Sequence, residues 1–254
     1  MRLDPSASAA GVRLLALEVL GSTNAEALRL ARGGERGPLW ITAERQTAGR
    51  GRRARPWISP AGNLYATLLL TERATSERWP QLSFVAALAI HDAVAQVAPD
   101  CVARLAIKWP NDVLHAGRKL AGILIEGGEG SGGSAVAIGI GVNCASHPPV
   151  TEFPATDLAA AGASVSPATL LAALSATMLA RLAQWNRGFS SIRADWIARA
   201  AGIGETARVR LADREITGRF EAIDPAGGLV LRLPDRSAMI VMAGDVFMAP
   251  APAG

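Results

Sequence analysis

The chain has 254 residues, half of them hydrophobic, with 26 lysines and arginines, 22 acids, 3 histidines and 2 cysteines. This supplies enough apolar material for one large folded unit and a small one, and marks the protein as globular. No stretch approaches about 18 uninterrupted apolar residues, and Met1-Arg2-Leu3-Asp4-Pro5 carries an acid and a proline where a signal peptide needs a basic start and an apolar run, so a cytoplasmic, membrane-free protein is expected.

Residues 13–19 read as a strand. Gly21-Ser22-Thr23-Asn24 stops it and opens a helix, with Thr23 and Glu26 at capping-box spacing and Gly33-Gly34 as the stop. Ser22, Thr23 and Asn24 therefore lie where a strand meets a helix N-terminus, with hydroxyls and backbone N–H groups able either to bind a polar ligand or simply to cap the helix. Residues 39–43 form a short strand that delivers Glu44 and Gln46 to the edge of Gly49-Arg50-Gly51-Arg52-Arg53-Ala54-Arg55, closed by Pro56 and Trp57. Residues 63–70 leave that loop as another strand.

The loop holds four arginines, and without them lysines and arginines would also number 22, so the formal excess of +4 can be assigned to it. Such concentrated charge predicts an anionic partner. Gly49 and Gly51 let main-chain N–H groups approach a ligand, and the arginines can fork onto phosphate or carboxylate oxygens. A solvated basic loop and a nucleic-acid patch are the alternatives, although proteins that coat a nucleic acid usually spread their positive charge over a face.

Apolar residues at Leu82, Val85, Ala86, Ala89, Ala93, Val94 and Val97 give residues 79–97 a helical period with one apolar face. Residues 104–109 alternate as a strand ending at the Pro110-Asn111-Asp112 turn. Residues 113–115 and 119–126 are the arms of a hairpin around Ala116-Gly117-Arg118. The glycine-rich residues 126–133 lack the P-loop arrangement and read as a flexible connection. Residues 135–142 form a buried strand whose Gly139 and Gly141 leave room for something close to the backbone. Residues 151–166 show little periodicity. A helix then opens at Ser166-Pro167 and runs through Leu182 and Trp185, and another spans residues 190–201. Beyond Gly202 the pattern changes to short alternating strands at 207–211, 215–223, 229–233 and 238–241, a small barrel. Cys101 and Cys144 read as buried reduced thiols, and the scattered His91, His115 and His147 form no zinc spacing.

Four features stand out: Ser22-Thr23-Asn24, the loop from Gln46 to Trp57, Lys108-Trp109-Pro110-Asn111-Asp112, and Arg118-Lys119-Leu120-Ala121-Gly122. Together with Gly62-Asn63-Leu64-Tyr65, Gly139-Ile140-Gly141-Val142-Asn143 and the C-terminal strands, they resemble the biotin protein ligase family across nearly the whole chain. The resemblance implies an α+β fold, a class II synthetase-like mixed sheet flanked by helices with a small C-terminal SH3-like β-barrel, divided into a catalytic domain at 1–202 and a barrel at 203–254. It implies two-step acyl transfer. Biotin and ATP first give biotinyl-5′-AMP and pyrophosphate, and a lysine of biotin carboxyl carrier protein then takes the biotin.

By position in the family motifs, Ser22, Thr23 and Gln46 resemble contacts to the biotin ureido ring. Gly49, Arg50, Arg52, Lys119 and the Gly122 backbone resemble contacts around its carboxylate. Arg52, Arg53, Arg55, Trp57, Lys108, Asn111, Lys119 and Asn143 resemble the ATP and adenylate contacts, Trp57 and Asn143 being the adenine neighbours. Lys119, Asp112 and Arg52 carry the implied catalysis, with Asp112 a base, an orienting group or a Mg²⁺ ligand. Positive charge is what brings an anionic carboxylate to a triphosphate. ATP, Mg²⁺ and biotin are the implied small molecules, and a homodimer is compatible.

Ala54 stands where many members have glycine, and Thr47 where a second glutamine is common; both departures leave the charges intact. The family pattern begins by about residue 13, so a DNA-binding role through an N-terminal winged helix is not expected. The remaining readings are a lipoate or octanoyl ligase of the same fold and a nucleic-acid-binding module. A loop that admits substrates and closes over a reactive anhydride is expected to be mobile when empty.

Overall fold

The computed structural model describes residues 1–71, 76–130 and 133–248. A short helix, α1 (Pro5–Ala9), precedes strand β1 (Arg13–Leu20), helix α2 (Thr23–Arg32), and strands β2 (Leu39–Gln46) and β3 (Leu64–Thr71). Helix α3 (Leu82–Val97) leads to β4 (Leu105–Lys108), β5 (Asp112–His115), β6 (Arg118–Gly130) and β7 (Gly133–Val142). These strands form one seven-stranded sheet in the order β1-β2-β3-β7-β6-β5-β4, with β1 and β2 parallel and every other pair antiparallel.

The alternation of side chains along a strand assigns each face of this sheet a different job. On β3, Leu64, Ala66, Leu68 and Leu70 join the main core beneath α3, and on β7 Val136, Ile138, Ile140 and Val142 do the same. Helices α4 (Pro167–Asn186) and α5 (Phe189–Ile197) pack on α3 and complete that layer. The opposite parity, Leu69 with Ala135 and Ala137, meets Ala27 and Ala31 of α2 in a second, smaller core. Thr67, Gly139 and Gly141 share this second face, where the first turn of α2 reaches Thr67 and Gly139 through Thr23 and Asn24.

Two loops differ from the sequence expectation. Residues 126–133 are not a loose connection, because β6 and β7 pair as far as Gly130 and Gly133. Gly127 is glycine because the Trp79 ring lies where its side chain would be. Helix α2 is capped one residue earlier than the capping-box spacing implies: Ser22 is the N-cap and accepts from the Ala25 N–H, leaving Glu26 to pair with Arg29 at 2.6 Å. The displaced Thr23 is thereby free to turn towards β2.

The C-terminal strands β8 (Thr206–Arg210), β9 (Glu215–Ile223), β10 (Leu229–Arg232), β11 (Ala238–Val241) and β12 (Asp245–Met248) form a separate antiparallel SH3-like sheet, in the order β11-β10-β9-β8-β12. The last of these strands has no counterpart in the sequence reading; four residues after Gly244 are too short a run for alternation to register. The two units share one apolar cluster, with Val209, Phe220 and Leu229 continuous with Phe84 and Trp196. Trp109, which sequence left between core and ligand wall, is 1% exposed and donates its indole N–H to the Gly227 carbonyl at 3.0 Å. It belongs to the core, seats the C-terminal unit and also borders the cavity beside the N-terminus of α2. Cys101 and Cys144 are buried free thiols, and burial pushes the Cys144 thiol up to about 12. Among the described residues, no helix is long and apolar enough to cross a membrane.

Candidate active site

A cavity of about 380 Å³ opens on the α2 face of the sheet, beside the N-terminus of α2. That volume is within the range of small-molecule sites. The arginine loop roofs it, and the sequence-predicted residues Ser22, Thr23, Gln46, Arg50, Arg52, Arg55, Trp57, Lys108, Asn111, Asp112, Lys119, Gly122 and Asn143 all line it. Gly49 and Arg53 do not. Gly49 instead packs under the roof, where a side chain would strike Ser59 Oγ and the Trp57 carbonyl at 2.6 Å, and Arg53 points to the C-terminal unit.

One end of the cavity is polar and uncharged. Gln46 Oε1 accepts from the Thr23 backbone N–H at 2.8 Å and its hydroxyl at 3.1 Å, while Gln46 Nε2 donates to Ser59 Oγ at 3.1 Å. The amide orientation of Gln46 is therefore fixed by its neighbours.

The other end is cationic. A β-bulge between Val113 and Leu114 shifts the β5–β6 register at Lys119 and re-aims that side chain. Lys119 Nζ lies 2.7 Å from Asp112 Oδ1, and Lys108 Nζ lies 3.8 Å from Asp112 Oδ2. Gly122 leaves this approach uncrowded, since a Cβ there would lie 3.3 Å from Lys119 Nζ and 3.0 Å from the Trp57 ring. Burial pulls the Lys108 ammonium below the usual lysine range, against the opposing field of Asp112. Its charge also faces the Phe153 ring at 4.0 Å. Arg52 donates to Asn111 Oδ1 at 3.2 Å and to the Gly244 carbonyl at 3.1 Å, and burial lowers its pKa despite Asp245 and Asp112.

Three sequence expectations are modified. The arginines already have internal anionic partners: Arg50 pairs with Glu126 at 3.1 Å, and Arg53 and Arg55 both pair with Asp245. The loop is thus packed rather than an open patch for a polyanion. Ala54 is also less innocuous than its charge neutrality suggests, because it has φ 56° and follows Arg53 at φ 55°, a left-handed conformation that costs a side-chain-bearing residue roughly 1–2 kcal/mol. The close approach expected at Gly139 and Gly141 is made by the protein itself, Asn24 lying over Gly139 and the Trp57 ring over Gly141. Among the described residues, the buried Trp57 indole N–H has no acceptor.

Asn143 is tied by its amide N–H to the Thr156 carbonyl at 2.9 Å. With Lys119, whose N–H donates to the Pro154 carbonyl at 2.7 Å, it holds the otherwise patternless 151–158 segment against the site. Among the described residues, no three His, Cys, Asp or Glu side chains group as a metal site. Asp112, flanked by two lysines, suits an ion-pair role better than a metal-ligand one.

Residues 18–143 match the biotin/lipoate A/B protein ligase family, and residues 202–248 match the biotin protein ligase C-terminal domain. The biotin–[acetyl-CoA-carboxylase] ligase of Paracoccus denitrificans is 46% identical over 89% of this chain and 96% of its own length. The chain belongs to the biotin protein ligase family. The bifunctional ligase/repressor BirA of Bacillus subtilis is 34% identical over 87% of this chain and 70% of its own length. The fold matches that of the Aquifex aeolicus biotin protein ligase solved with biotin and ATP, with TM-score 0.80, 23% identity, and coverage of 94% of this chain and 99% of that one. A Leishmania major ligase solved with biotinyl-5-AMP is 26% identical with TM-score 0.65, covering 91% and 99%.

Sequence reasoning missed Asp245, Glu126, Ser59 and Phe153, and left Asn24 without a role. Asp245 is some 190 residues from the loop arginines it binds, so no local pattern announces it. Glu126 had a signal, an acid on the cavity parity of β6, two residues beyond Leu124.

Proposed function

We propose that this protein joins biotin to ATP as biotinyl-5′-AMP, releasing pyrophosphate, and passes the biotin to a lysine of a biotin carboxyl carrier domain. The observation that carries the reading is a single cavity with a neutral hydrogen-bonding end at Ser22, Thr23 and Gln46 and a cationic end at Arg52, Lys108 and Lys119. Biotin has the matching polarity, a ureido group at one end and a carboxylate at the other.

In the first step a biotin carboxylate oxygen attacks the α-phosphorus of ATP, and the bond to the β-phosphate oxygen breaks. Lys119 and Arg52 face the oxygens where negative charge concentrates, which is the largest source of rate in such a transfer. The Gly122 backbone borders the carboxylate end of biotin, Arg50 forms the wall between that end and Thr23, and Arg53 and Arg55 exchange Asp245 for phosphate oxygens. The Trp57 ring and the Asn143 side chain border the adenine. In the second step a lysine amine attacks the acyl carbon and AMP departs. Asp112 orients the amine and takes its proton, and Lys119 stabilises the leaving phosphate. Mg²⁺ enters with ATP, since that ion is held mainly by phosphates and water; the residues at Asp112 do not fit a resident metal, and no step is assigned to one.

A lipoate ligase and a nucleic-acid module are less well supported. The match at residues 202–248 is to a biotin protein ligase domain, and the arginines are engaged by Glu126 and Asp245. Mass spectrometry after incubation with biotin, MgATP and an acceptor carrier domain should show one biotin added to the acceptor. No addition, or addition of lipoate in preference to biotin, overturns the reading.

A further inference from the structure

Arg50 lines the cavity, yet the group that holds it does not. Glu126 sits on β6 on the same face as Gly122 and Leu124, and its Oε1 accepts from Arg50 Nη2 at 3.1 Å and Nε at 3.3 Å. Its Oε2 accepts from Asn24 Nδ2 at 2.8 Å. Asn24 is buried, donates also to the Leu124 carbonyl at 3.2 Å, and accepts from Thr67 Oγ1 at 2.6 Å. Thr67 Oγ1 is in turn 2.8 Å from Thr23 Oγ1, which bonds Gln46. The absence of a side chain at Gly139 provides the space in which the Asn24 amide lies.

A chain of polar contacts thus links Arg50 to the residues at the neutral end of the cavity: if the Thr23 hydroxyl turns to Thr67, the Thr23 backbone N–H still holds Gln46 Oε1 at 2.8 Å. An arginine side chain released from such a clamp would sample many rotamers, and ordering it on each binding event would weaken the ligand. Glu126 and Asn24 remove that freedom beforehand, Glu126 from behind the wall and Asn24 from within it.

We infer that Glu126, braced by Asn24, is a positioning residue that fixes the Arg50 guanidinium as part of the wall next to Thr23 and Gln46, and so sets affinity for biotin rather than for ATP. This rests on the ligase reading above. Biotin-dependent exchange of pyrophosphate into ATP tests it. Glu126→Gln should raise the KM for biotin about tenfold, the effect of losing one charge-assisted hydrogen bond at a half-exposed pair, while kcat and the KM for ATP stay within about twofold. In an Arg50→Ala background the same substitution should add nothing, because it acts through the missing side chain.

An unchanged biotin KM, an equal rise in both KM values, or additive effects of the two substitutions overturns the inference. If Glu126→Gln melts well below the wild type, Asn24→Ser replaces it, removing the bracing amide but keeping a hydroxyl. The same selective rise in biotin KM is then expected, and none overturns the proposal. Wild-type protein without biotin-dependent exchange removes the ligase reading and this inference with it. Wild-type exchange with an indifferent Glu126→Gln removes the inference alone.

Discussion

Lys119 reaches the cavity because its neighbours make way for it: the bulge at Val113/Leu114 re-aims it and Gly122 leaves the path open. Lys119→Ala should reduce biotin-dependent pyrophosphate exchange about 10²–10³-fold, the usual effect of removing one preorganised electrostatic contact. Its melting temperature should change little, since Asp112 keeps Lys108 at 3.8 Å. Near-normal exchange would remove Lys119 from the reacting centre. Ala54 illustrates the opposite case, a residue whose chemistry is idle and whose backbone is not. Its φ of 56° suits glycine, so Ala54→Gly should stabilise the protein by about 1 kcal/mol, raising the melting temperature by roughly 2–4 °C. A lower melting temperature would show that the left-handed turn carries no strain.

At the scale of elements, the β6–β7 hairpin shows how a composition cue misleads. Glycines at 127, 128, 130 and 133 read as flexibility, but the strands pair through them, and at Gly127 the missing side chain admits the Trp79 ring. Gly127→Ala should therefore destabilise by about 1–3 kcal/mol, the cost of overpacking a filled space, measurable as a lower urea midpoint with unchanged slope. An unshifted midpoint would mean that Trp79 is free to move aside. The same reasoning explains β3 and β7. Their period-2 alternation was legible, but which parity faces the helices and which the cavity is decided only when α2 and α3 take opposite sides of the sheet.

At the scale of the whole molecule, the C-terminal unit contributes to the site directly. Asp245, on β12, receives Arg53, Arg55 and Arg210, and the Gly244 carbonyl receives Arg52. Asp245→Ala removes the carboxylate partner of Arg53 and Arg55, while Arg210 keeps Glu152 at 2.6 Å. With these arginines 32–40% exposed, solvent screening limits the loss to about 1–2 kcal/mol. Burial alone would raise the Asp245 carboxyl, but hydrogen bonds from Arg55 and Arg210 outweigh it and hold the group below the usual carboxylate range. Because the folded value is the lower one, this stabilisation is complete above the unfolded value of about 3.9 and is lost as pH falls through the folded one. The melting temperatures of wild type and Asp245→Ala should differ at neutral pH and converge below about pH 4. A difference that persists into strong acid would assign it to packing.

The sequence by itself determined most of the elements and the motif residues that line the cavity. Helical and strand periods, the Ser166 cap, and the motifs at 22–24, 46–57, 108–112 and 118–122 are local patterns, set by side-chain spacing along the chain. Tertiary structure alone decided which charges neutralise which. The arginine loop read as unbalanced because its counter-charges, Glu126 and Asp245, are close only after β6 and β12 have been brought beside it. Coulomb attraction acts through space within a few ångströms and carries no sequence period, so a lone acid on a distant strand leaves no local sign that it belongs to the site.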